Sequence, residues 1–414
     1  MMTKKWQPYP TYKDSGVEWL GKIPEHWKVK KCKQLSLIKR GASPRPIDDP
    51  SFFDDDGAYS WVRISDVTAS NKYLETSEQK LSELGKSKSI ALEPGELFVS
   101  ICATVGKPII TNIKCCIHDG FVYFPFLKEN REYLFYIFSG GELYKGVGKQ
   151  GTQLNLNTDI IGDIKLPIPP LPEQQKIAQF LDQETSKIDK LITKKERLIK
   201  LLKEKRTALI SHAVTKGLNP DVPMKDSGVE WLGEIPEHWE VKRVKYAFIL
   251  QRGYDLSSDQ LIEGIYPVCA SNGVIGFHNK FNVKAPCITV GRSGSVGEIN
   301  YIENDFWAHN TALFVKEFIN SIPRFIFYIL LILDTKRLSA GSAVGTLNRN
   351  YIHELLTPLP PIPEQQKIAQ FLDRETGKID NLITKTRTSI DHLKEYRTAL
   401  ISAAVTGKID VREH

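Results

Sequence analysis

The sequence has few cysteines and no long apolar run. Its 414 residues include six cysteines, none with CxxC spacing, and only His118 lies near the adjacent pair Cys115 and Cys116. This pattern argues against a disulfide framework and a zinc site, and it favours a reducing cytoplasm as the setting. The apolar run that comes closest to a membrane span, residues 325–333, is too short, and the N-terminal segment lacks the apolar core of a secretory signal.

The excess of basic over acidic residues is also small. Lys and Arg number 56, and Asp and Glu number 49. An excess of this size does not by itself indicate a polyanionic partner. The chain is too long for one compact core and long enough for two domains with connecting elements.

Two segments of the chain occur twice. KDSGVEWLGKIPEHWKVKK begins at Lys13, and the near-identical KDSGVEWLGEIPEHWEVKR begins 212 residues later at Lys225. PEQQKIAQFLD begins at Pro172 and recurs letter for letter 191 residues later at Pro363. The second offset is 21 residues shorter than the first, so the first intervening region contains 21 residues that the second lacks. This pattern indicates a tandem duplication with matching frames and unlike contents.

The contents of the two frames are residues 32–167 and 244–358, which we call the variable regions. They share only scattered phrases, such as SICATVGKP facing VGRSGSVGEI. Both contain short β-type runs punctuated by Gly, Asn and Asp, which are typical of strands. We therefore predict an α+β fold in which each variable region forms a mixed α/β domain with a small sheet.

A long helix is predicted after each variable region. Residues 173–216 contain neither Gly nor Pro, and Gly217 and Gly407 supply plausible stops. At about 1.5 Å per residue, some 44 residues would make a rod on the order of 65 Å, unless a break near Ser186 or Gly377 bends it. Apolar residues recur at steps of three and four, as in a helix that pairs with another helix. This stripe consists of Ile177, Leu181, Ile188, Leu191, Leu198, Leu202 and Leu209 in the first copy, and of Ile368, Leu372, Ile379, Leu382, Ile390, Leu393 and Leu400 in the second.

The two helices have two interpretations that do not exclude each other. An intramolecular antiparallel coiled coil would serve as a spacer between two domains. In addition, the cations of KKERLIKLLKEKR, residues 194–206, lie on the face opposite the stripe and are more numerous than a solvated surface requires. That face would suit phosphate or an acidic partner.

Four tryptophans lie in the segments 13–31 and 225–243, which we call the first and second straps. Exposed indole rings in these positions would be platforms for stacking bases. The motif WLGKIPEHW, however, alternates bulky apolar residues with turn formers, as expected of a segment that lies across its own domain. We therefore predict that Trp19, Trp27, Trp231 and Trp239 serve in packing.

Candidate base-reading residues lie in Gly-containing loops of the variable regions. Arg and Lys can bind guanine O6 and N7, Asn and Gln can bind adenine N6 and N7, and Ser or Thr can serve either base. Any one candidate alone is more simply an ordinary surface or turn residue, but the set favours DNA recognition. The candidates are Lys39, Arg40, Arg45, Arg63, Thr104, Lys107, Lys149 and Gln150 in the first region, and Arg252, Tyr254, Ser271, Asn272, Lys280, Arg292 and Ser293 in the second.

Signatures of catalysis on DNA are missing from the sequence. An amino-methyltransferase needs Asn or Asp before Pro-Pro-aromatic, whereas Ile or Leu precedes every Pro-Pro here. A phosphate-binding loop ending at Gly85, Lys86 and Ser87 would need a glycine five residues before Gly85, where Lys80 stands. These absences weigh against an enzyme.

The repeated segments resemble those of a known family, the specificity (S) subunits of type I restriction-modification systems. Three pairs of segments look like that family's frames, in its order and over essentially the whole chain. They are both copies of DSGVEWLGxIPEHW, PPLPEQQKIAQFLD with PPIPEQQKIAQFLD, and RTALISHAVTKG with RTALISAAVTGK. Similarity of this extent is far more specific than a short motif.

The resemblance implies two target-recognition domains in tandem, each reading one half of a split DNA sequence. Two long antiparallel helices would fix the gap, with internal pseudo-two-fold symmetry, and would dock two methyltransferase (M) subunits, to which nuclease-translocase (R) subunits add. S-adenosylmethionine, ATP and Mg would then be bound by those partners, with no cofactor and no metal in this chain. The corresponding divisions are 1–167 and 217–358 for the recognition domains, 168–216 for the central helix, and 359–414 for the C-terminal helix and tail.

Two rival classes of protein fit parts of the pattern. One is a fused or degenerate nuclease or methyltransferase, against which the missing motifs weigh. The other is a coiled-coil scaffold with two carbohydrate- or protein-binding heads, which the composition alone permits. Salt-dependent retention on DNA separates the classes, because phosphate neutralisation gives a steep dependence on salt that a lectin-like head lacks.

Overall fold

Each variable region folds together with parts of both long helices. A computed structural model describes residues 6–144, 149–150, 153–154, 156–257, 262–333, 335, 337–339 and 345–412. Unit 1 comprises Met1–Lys194 with Ser389–His414, and unit 2 comprises Lys195–Thr388. The linear division after residues 167, 216 and 358 stays a prediction about the sequence.

Unit 1 begins with the first strap and continues through the first variable region. Its helices are α1 (Ile64–Ala69), α2 (Glu83–Ser87), α3 (Arg131–Ser139), α4 (Thr158–Asp163) and α5 (Leu171–Lys216), the last of which continues into unit 2. Its strands are β1 (Tyr12–Asp14), β2 (Lys22–Pro24), β3 (Lys28–Lys31), β4 (Lys39–Arg40), β5 (Tyr59–Val62), β6 (Tyr73–Leu74), β7 (Lys80–Leu81), β8 (Ile90–Leu92), β9 (Leu97–Ser100), β10 (Pro108–Thr111), β11 (Cys115–Ile117), β12 (Phe121–Tyr123), β13 (Lys149–Gln150), β14 (Gln153–Leu154) and β15 (Lys165–Ile168).

Two sheets form the framework of the first variable region. One has the strand order β4-β12-β9-β10-β6, and the other has the order β7-β5-β11-β8. In the first sheet β12 pairs antiparallel with both β4 and β9, and in the second β11 pairs parallel with β5. Val62, Phe98, Ile117 and Phe121 belong to one fully buried cluster that joins strands of the two sheets. The first strap closes the region, because β3 pairs antiparallel with β15 just before α5 begins.

Unit 2 contains the second strap and the second variable region. Its strands are β16 (Met224–Asp226), β17 (Glu234–Pro236), β18 (Glu240–Arg243), β19 (Phe248–Arg252), β20 (Tyr266–Ala270), β21 (Gly273–His278), β22 (Cys287–Gly291), β23 (Ile299–Ile302), β24 (Trp307–Ala308), β25 (Ala312–Phe318) and β26 (Leu356–Leu359). Its helices are α6 (Pro323–Ile332), α7 (Arg349–His353) and α8 (Ile362–Val405), the last of which continues into unit 1. The strand orders of its two main sheets are β19-β25-β22-β23 and β21-β20-β24.

The two variable regions share one strand arrangement although their sequences differ. β25 lies between β19 and β22, as β12 lies between β4 and β9, and the parallel pair of β20 with β24 corresponds to the pair of β5 with β11. Arg40 of β4 pairs with Val122 of β12, and Arg252 of β19 pairs with Leu313 of β25. The residue numbers of equivalent positions in the two units therefore differ by 212 on β4 and by 191 on β12. Strand β9 already has the offset of 191. The 21 extra residues of unit 1 therefore fall between β4 and β9, where unit 1 has β5, α1, β6, β7, α2 and β8 and unit 2 has the β20–β21 hairpin.

Helices α5 and α8 are continuous over 46 and 44 residues, and neither breaks at Ser186 or Gly377. A glycine inside a helix costs about 1 kcal/mol relative to alanine, so packing must hold the helix at Gly377. Leu372 and Ile379, on either side of it, are both buried. Among the described residues, no helix is apolar over a length that would cross a membrane.

Most of the predicted apolar stripe is buried, as expected. Leu191, Leu209 and Leu393 are half-buried, and the buried members are Ile177, Leu181, Ile188, Leu202, Ile368, Leu372, Ile379, Ile390 and Leu400. The prediction was wrong for Leu198 and Leu382, whose side chains are 40% and 45% exposed. Ile199 and Ile383, one residue further on, pack between the helices instead. A step of seven residues falls about 20° short of two full turns in a straight helix, so a strict seven-residue count drifts off the buried face.

The segments of α5 and α8 in unit 2 run antiparallel. Leu202 of α5 clusters with Ile383 of α8, whereas Ile210, further along α5, belongs to the same core as the earlier Ile368 of α8.

The segments of α5 and α8 in unit 1 also run antiparallel. Asp189 of α5 accepts a hydrogen bond from Arg397 at 3.0 Å. Lys176, earlier in α5, donates to the carbonyl oxygen of Arg412, beyond the end of α8, at 2.7 Å. The predicted antiparallel pairing is confirmed in each unit taken by itself.

Candidate nucleic-acid interface

Three loops of unit 1 meet at one end of the sheet that contains β4, β12 and β9. The loop after β4 joins β12 through the hydrogen bond from Gly41 N to Phe121 O, at 2.9 Å. The β9–β10 loop joins the β11–β12 turn through the bond from Ile101 N to Gly120 O, also at 2.9 Å. A Cβ atom on Gly41 would lie 2.2 Å from the carbonyl oxygen of His118, so only glycine permits this approach.

The corresponding loops of unit 2 meet in the same way. Gly253 N donates to Ala312 O at 2.9 Å, and Arg292 N donates to Thr311 O at 2.8 Å. A Cβ atom on Gly253 would lie 2.2 Å from the carbonyl oxygen of His309. Both units thus hold three sequence-divergent loops on a shared backbone frame, an arrangement suited to recognition.

Two of the predicted basic residues of unit 1, Arg40 and Arg45, lie beside Asp119, and a third, Lys39, precedes Arg40 on β4. Arg40 Nε donates to the carbonyl oxygen of Asp119, and Arg45 Nη2 lies 3.1 Å from its Oδ2 atom. Burial disfavours the charged carboxylate, but a 2.9 Å hydrogen bond from Ser43 and the two arginines outweigh it and lower the pKa of Asp119. Lys39 is exposed and the Arg45 side chain is 77% exposed, so cationic groups remain accessible here.

The other candidates of unit 1 with described side chains lie around α1. Arg63 Nη2 pairs with Glu78 Oε2 at 2.8 Å. Thr104 Oγ1 lies 2.8 Å from the hydroxyl of Thr68. Lys107 Nζ donates to two carbonyl oxygens at the end of α1, at 3.0 and 2.6 Å, and burial lowers its pKa. The ammonium group of Lys107 therefore has a structural partner in its own domain.

Lys149 and Gln150 form the two-residue strand β13. It pairs antiparallel with β14, with Gln150 opposite Gln153. The side chains of both candidates lie outside the described part of the structure, so their role in base reading stays a prediction.

Arg252 of unit 2 ends β19 at the place that Arg40 occupies on β4. Its Nη2 atom lies 3.2 Å from Asp255 Oδ1, and the side-chain amide of Asn310 donates to the same oxygen. Tyr254 is 45% exposed on the same loop. The arginine thus recurs in both units, but Asn310 stands where unit 1 has Asp119, so the surrounding chemistry differs.

Three further candidates lie on or beside the β20–β21 hairpin. Asn272 is exposed at its tip, and Lys280 is exposed just after β21. Ser271 is only 7% exposed, and its backbone N donates to Thr311 Oγ1 at 3.3 Å. Ser271 thus packs where the hairpin meets the loop before β25, and its role in base reading stays a prediction.

A cleft of about 420 Å³ in unit 2 brings Arg252 and Arg292 together with Arg349, which the sequence analysis missed. Ser293, next to Arg292, is half-exposed, and its backbone N donates to Thr311 O at 3.2 Å. Arg349 opens α7, whose five residues are too few for a helical pattern to be recognised. The remaining lining residues are Leu313, Thr346, Leu347, Asn348 and Tyr351.

The first strap docks on the first turn of α5 through a buried carboxylate. Glu173 is 6% exposed and accepts hydrogen bonds from Trp27 Nε1 at 3.0 Å and from the hydroxyl of Tyr9 at 2.7 Å. His26 Nε2 lies 2.8 Å from its other oxygen. Burial and the bond to Glu173 raise the pKa of Tyr9, so its hydroxyl remains a donor.

The second strap docks on α8 in the same way with one contact fewer. Glu364 accepts from Trp239 Nε1 at 2.9 Å and lies 2.6 Å from His238 Nε2. The position equivalent to Tyr9 holds Asp221, and the Glu364 side chain is 37% exposed. Sequence reasoning missed both carboxylates, although the recurrence of Trp, His and Glu in each copy was an available signal.

The tryptophans confirm the packing prediction for all but one residue. Trp27 and Trp239 are fully buried, and Trp19 is half-buried against the core of unit 1. Trp231 is 40% exposed, so the prediction was wrong there.

Comparison with known proteins identifies a family with matching sequence. Residues 24–201 and 236–392 match the family model described as type I restriction modification DNA specificity domain. The putative type I restriction enzyme MjaX specificity subunit of Methanocaldococcus jannaschii is 25% identical, covering 95% of this chain and 96% of that protein. The MjaVIII specificity subunit of the same organism is 26% identical, covering 94% and 95% respectively.

Two solved structures share the fold. One, from work on complex assembly and conformational transition of the type I R-M system, has a TM-score of 0.75 at 12% identity, covering 92% of this chain and 98% of its own. The other, the HsdS subunit from Thermoanaerobacter tengcongensis, has a TM-score of 0.54 at 13% identity, covering 96% and 100%. The fold class is thus two tandem mixed α/β domains with two long antiparallel helices. The chain belongs to the type I restriction-modification DNA specificity family, and it is a specificity subunit.

Proposed function

We propose that the chain recognises a bipartite, asymmetric DNA sequence and reads one half with each variable region. The observation that carries this proposal is the recurrence of one three-loop arrangement in both units with different side chains on it. Arg40 contacts Asp119 of the β11–β12 turn in unit 1, whereas Arg252 contacts Asp255 of its own loop in unit 2, and that carboxylate also accepts from Asn310. Different donors and acceptors on one frame are suited to different base edges in the major groove.

The near-identical frames are the proposed docking surfaces for two methyltransferase subunits. The same strap-to-helix contact recurs at Glu173 and Glu364, so two copies of one partner would bind about a pseudo-two-fold axis. Restriction subunits would join through the methyltransferase subunits. S-adenosylmethionine, ATP and Mg would be bound by these cytoplasmic partners, and a target adenine would be flipped into the partner's pocket. This chain would supply position and binding energy without catalysis, so the purified chain alone should neither methylate nor cut DNA.

The proposed role of α5 and α8 is to set the number of unread base pairs between the half-sites. Both helices contribute a segment to each unit, so they are the elements that connect the two readers. In this proposal their length acts as a ruler, and two exposed members of the stripe, Leu198 and Leu382, are available to partners together with the exposed cations of residues 194–206.

An exchange of the variable regions tests the assignment of reading to them. Residues 32–167 and 244–358 are exchanged within the full chain, which is expressed with its methyltransferase partner, and methylated sites are mapped in cellular DNA. We expect the same two half-sites in reversed order. The matched control exchanges the straps, 13–31 with 225–243, and should leave the target unaltered. An unaltered target after exchange of soluble, folded variable regions would contradict modular reading.

A further inference from the structure

The cleft of unit 2 that contains Arg252, Arg292 and Arg349 is strongly cationic. Its lining, within the described part of the chain, includes no Asp or Glu. Three guanidinium groups at one cleft repel one another unless an anion lies among them. Tyr351, at the same cleft, is 57% exposed, so the site is open to a large ligand.

Each of the three arginines has a side-chain contact with a described residue of its own domain. Arg349 Nη1 donates to a backbone carbonyl of β19 at 3.3 Å, and Arg292 Nη1 donates to the carbonyl oxygen of Asn310 at 3.5 Å. Arg252 Nη2 lies 3.2 Å from Asp255, the one carboxylate that pairs with this trio among the residues that the structure describes. Because each guanidinium carries five N–H donors, its contacts with described residues use only part of its donor capacity, and the other donors suit a ligand rich in acceptors.

The equivalent positions of unit 1 hold one arginine where unit 2 has three. Arg40 occupies the place of Arg252, but Ile101 and Thr158 stand 191 residues before Arg292 and Arg349. The equivalence is structural as well, because α4 and α7 are both N-capped by an asparagine side chain. Ile101 is 8% exposed and has no charge to offer.

We propose that this cleft binds one phosphodiester group of the DNA backbone, an anchor that unit 1 lacks. This inference rests on the proposed function for the identity of the polyanion. A base edge needs only one bidentate arginine, whereas converging guanidiniums match the oxygens of a phosphate group. The two units therefore contribute unequally to the salt-dependent part of DNA affinity, with the larger share from unit 2.

The first experiment measures binding of the full chain to a 30-base-pair duplex of mixed sequence by fluorescence anisotropy between 50 and 200 mM KCl. Arg349→Gln should weaken binding about tenfold at low salt and reduce the slope of log K against log salt by about 0.9, the value for one phosphate contact. Arg292→Gln should have the same two effects. Agreement between the two variants would show that a local packing defect in one of them is not the cause. Arg349→Lys keeps the charge and should keep the slope. The matched control is Arg374→Gln, which removes an equal charge from an exposed site on α8 and should change neither quantity.

The second experiment tests the cleft without DNA. Inorganic phosphate at constant ionic strength should raise the melting temperature of the wild type and of Arg374→Gln, but not that of Arg349→Gln. If the wild-type chain binds DNA and both Arg→Gln variants keep the wild-type salt slope, the inference is overturned and the proposed function stands. If wild type shows no salt-dependent DNA binding, the proposed function fails and the phosphodiester assignment fails with it, whatever the response to inorganic phosphate.

Discussion

Glu173 of α5 and Glu364 of α8 each bind the strap of their own unit. The two residues therefore form a matched pair for a quantitative test of what stabilises the contact between strap and helix. Replacing Glu173 by Ala removes the acceptor of two buried donors, Trp27 Nε1 and the Tyr9 hydroxyl. A buried donor left without a partner costs about 1–3 kcal/mol, so the expected loss in unit 1 is about 2–6 kcal/mol. The His26 side chain is 41% exposed, so water replaces its contact and adds little.

Glu364→Ala should cost less in unit 2. Only one buried donor, Trp239 Nε1, loses its acceptor there, and the His238 side chain is 46% exposed. The expected loss is therefore about 1–3 kcal/mol. The difference between the two variants corresponds to the one extra hydrogen bond from Tyr9, which Asp221 replaces in the second copy.

Hydrogen–deuterium exchange in urea is the suitable assay, because a chain of two units need not unfold in a single step. Amides of β2 report on unit 1 and amides of β17 report on unit 2. In a Tyr9→Phe background, Glu173→Ala and Glu364→Ala should lower the unfolding free energy of their units by amounts that agree within about 1 kcal/mol. Equal losses in the unmodified background, or a larger loss from Glu364→Ala, would refute the reasoning.

Three further predictions concern the packing of unit 2 and the long helices. Burial, and to a smaller extent the charge of nearby Arg349, lowers the pKa of His353. The Nε2 atom of its neutral ring accepts a hydrogen bond from Leu250 N at 2.9 Å. Because the unfolded chain then binds more protons, the unfolding free energy of unit 2 should fall as the pH drops below about 6.5, and His353→Gln should flatten that fall in melts from pH 7.5 to 5.5. Asp380→Asn should cost less than about 1 kcal/mol in urea unfolding, because its ion pair with Arg206 at 3.0 Å is half exposed; a loss of several kcal/mol would mean the pair is more than a surface contact. Inserting one heptad after Leu198 and another after Arg387 lengthens both helices by about 10 Å, so mapped targets should keep their half-sites and gain about three unread base pairs, whereas unchanged spacing would remove the ruler role.

The long helices were predictable from sequence because their signal is local. Apolar residues repeat along α5 and α8 with no interrupting proline, and the duplication supplies the same pattern twice. The error at Leu198 and Leu382 arose where counting by sevens outran the true helical repeat.

The arrangement within the variable regions was not predictable in the same way. β12 pairs with β4, some 80 residues earlier, and β25 pairs with β19, some 60 residues earlier. Such pairings depend on tertiary contacts that no short pattern encodes. The same limit applies to Arg349, which reaches Arg252 and Arg292 only after the sheet has formed. The burial of Ser271 has the same origin, since neighbouring loops that are distant in sequence cover this turn residue.

The most direct test of the central claim is a map of methylated adenines in cells that express this chain with its cognate methyltransferase. Two different readers held on one duplicated frame predict a single asymmetric target, made of two short specified blocks separated by a fixed number of unspecified base pairs. One uninterrupted block, two identical half-sites or methylation without sequence preference would contradict the account.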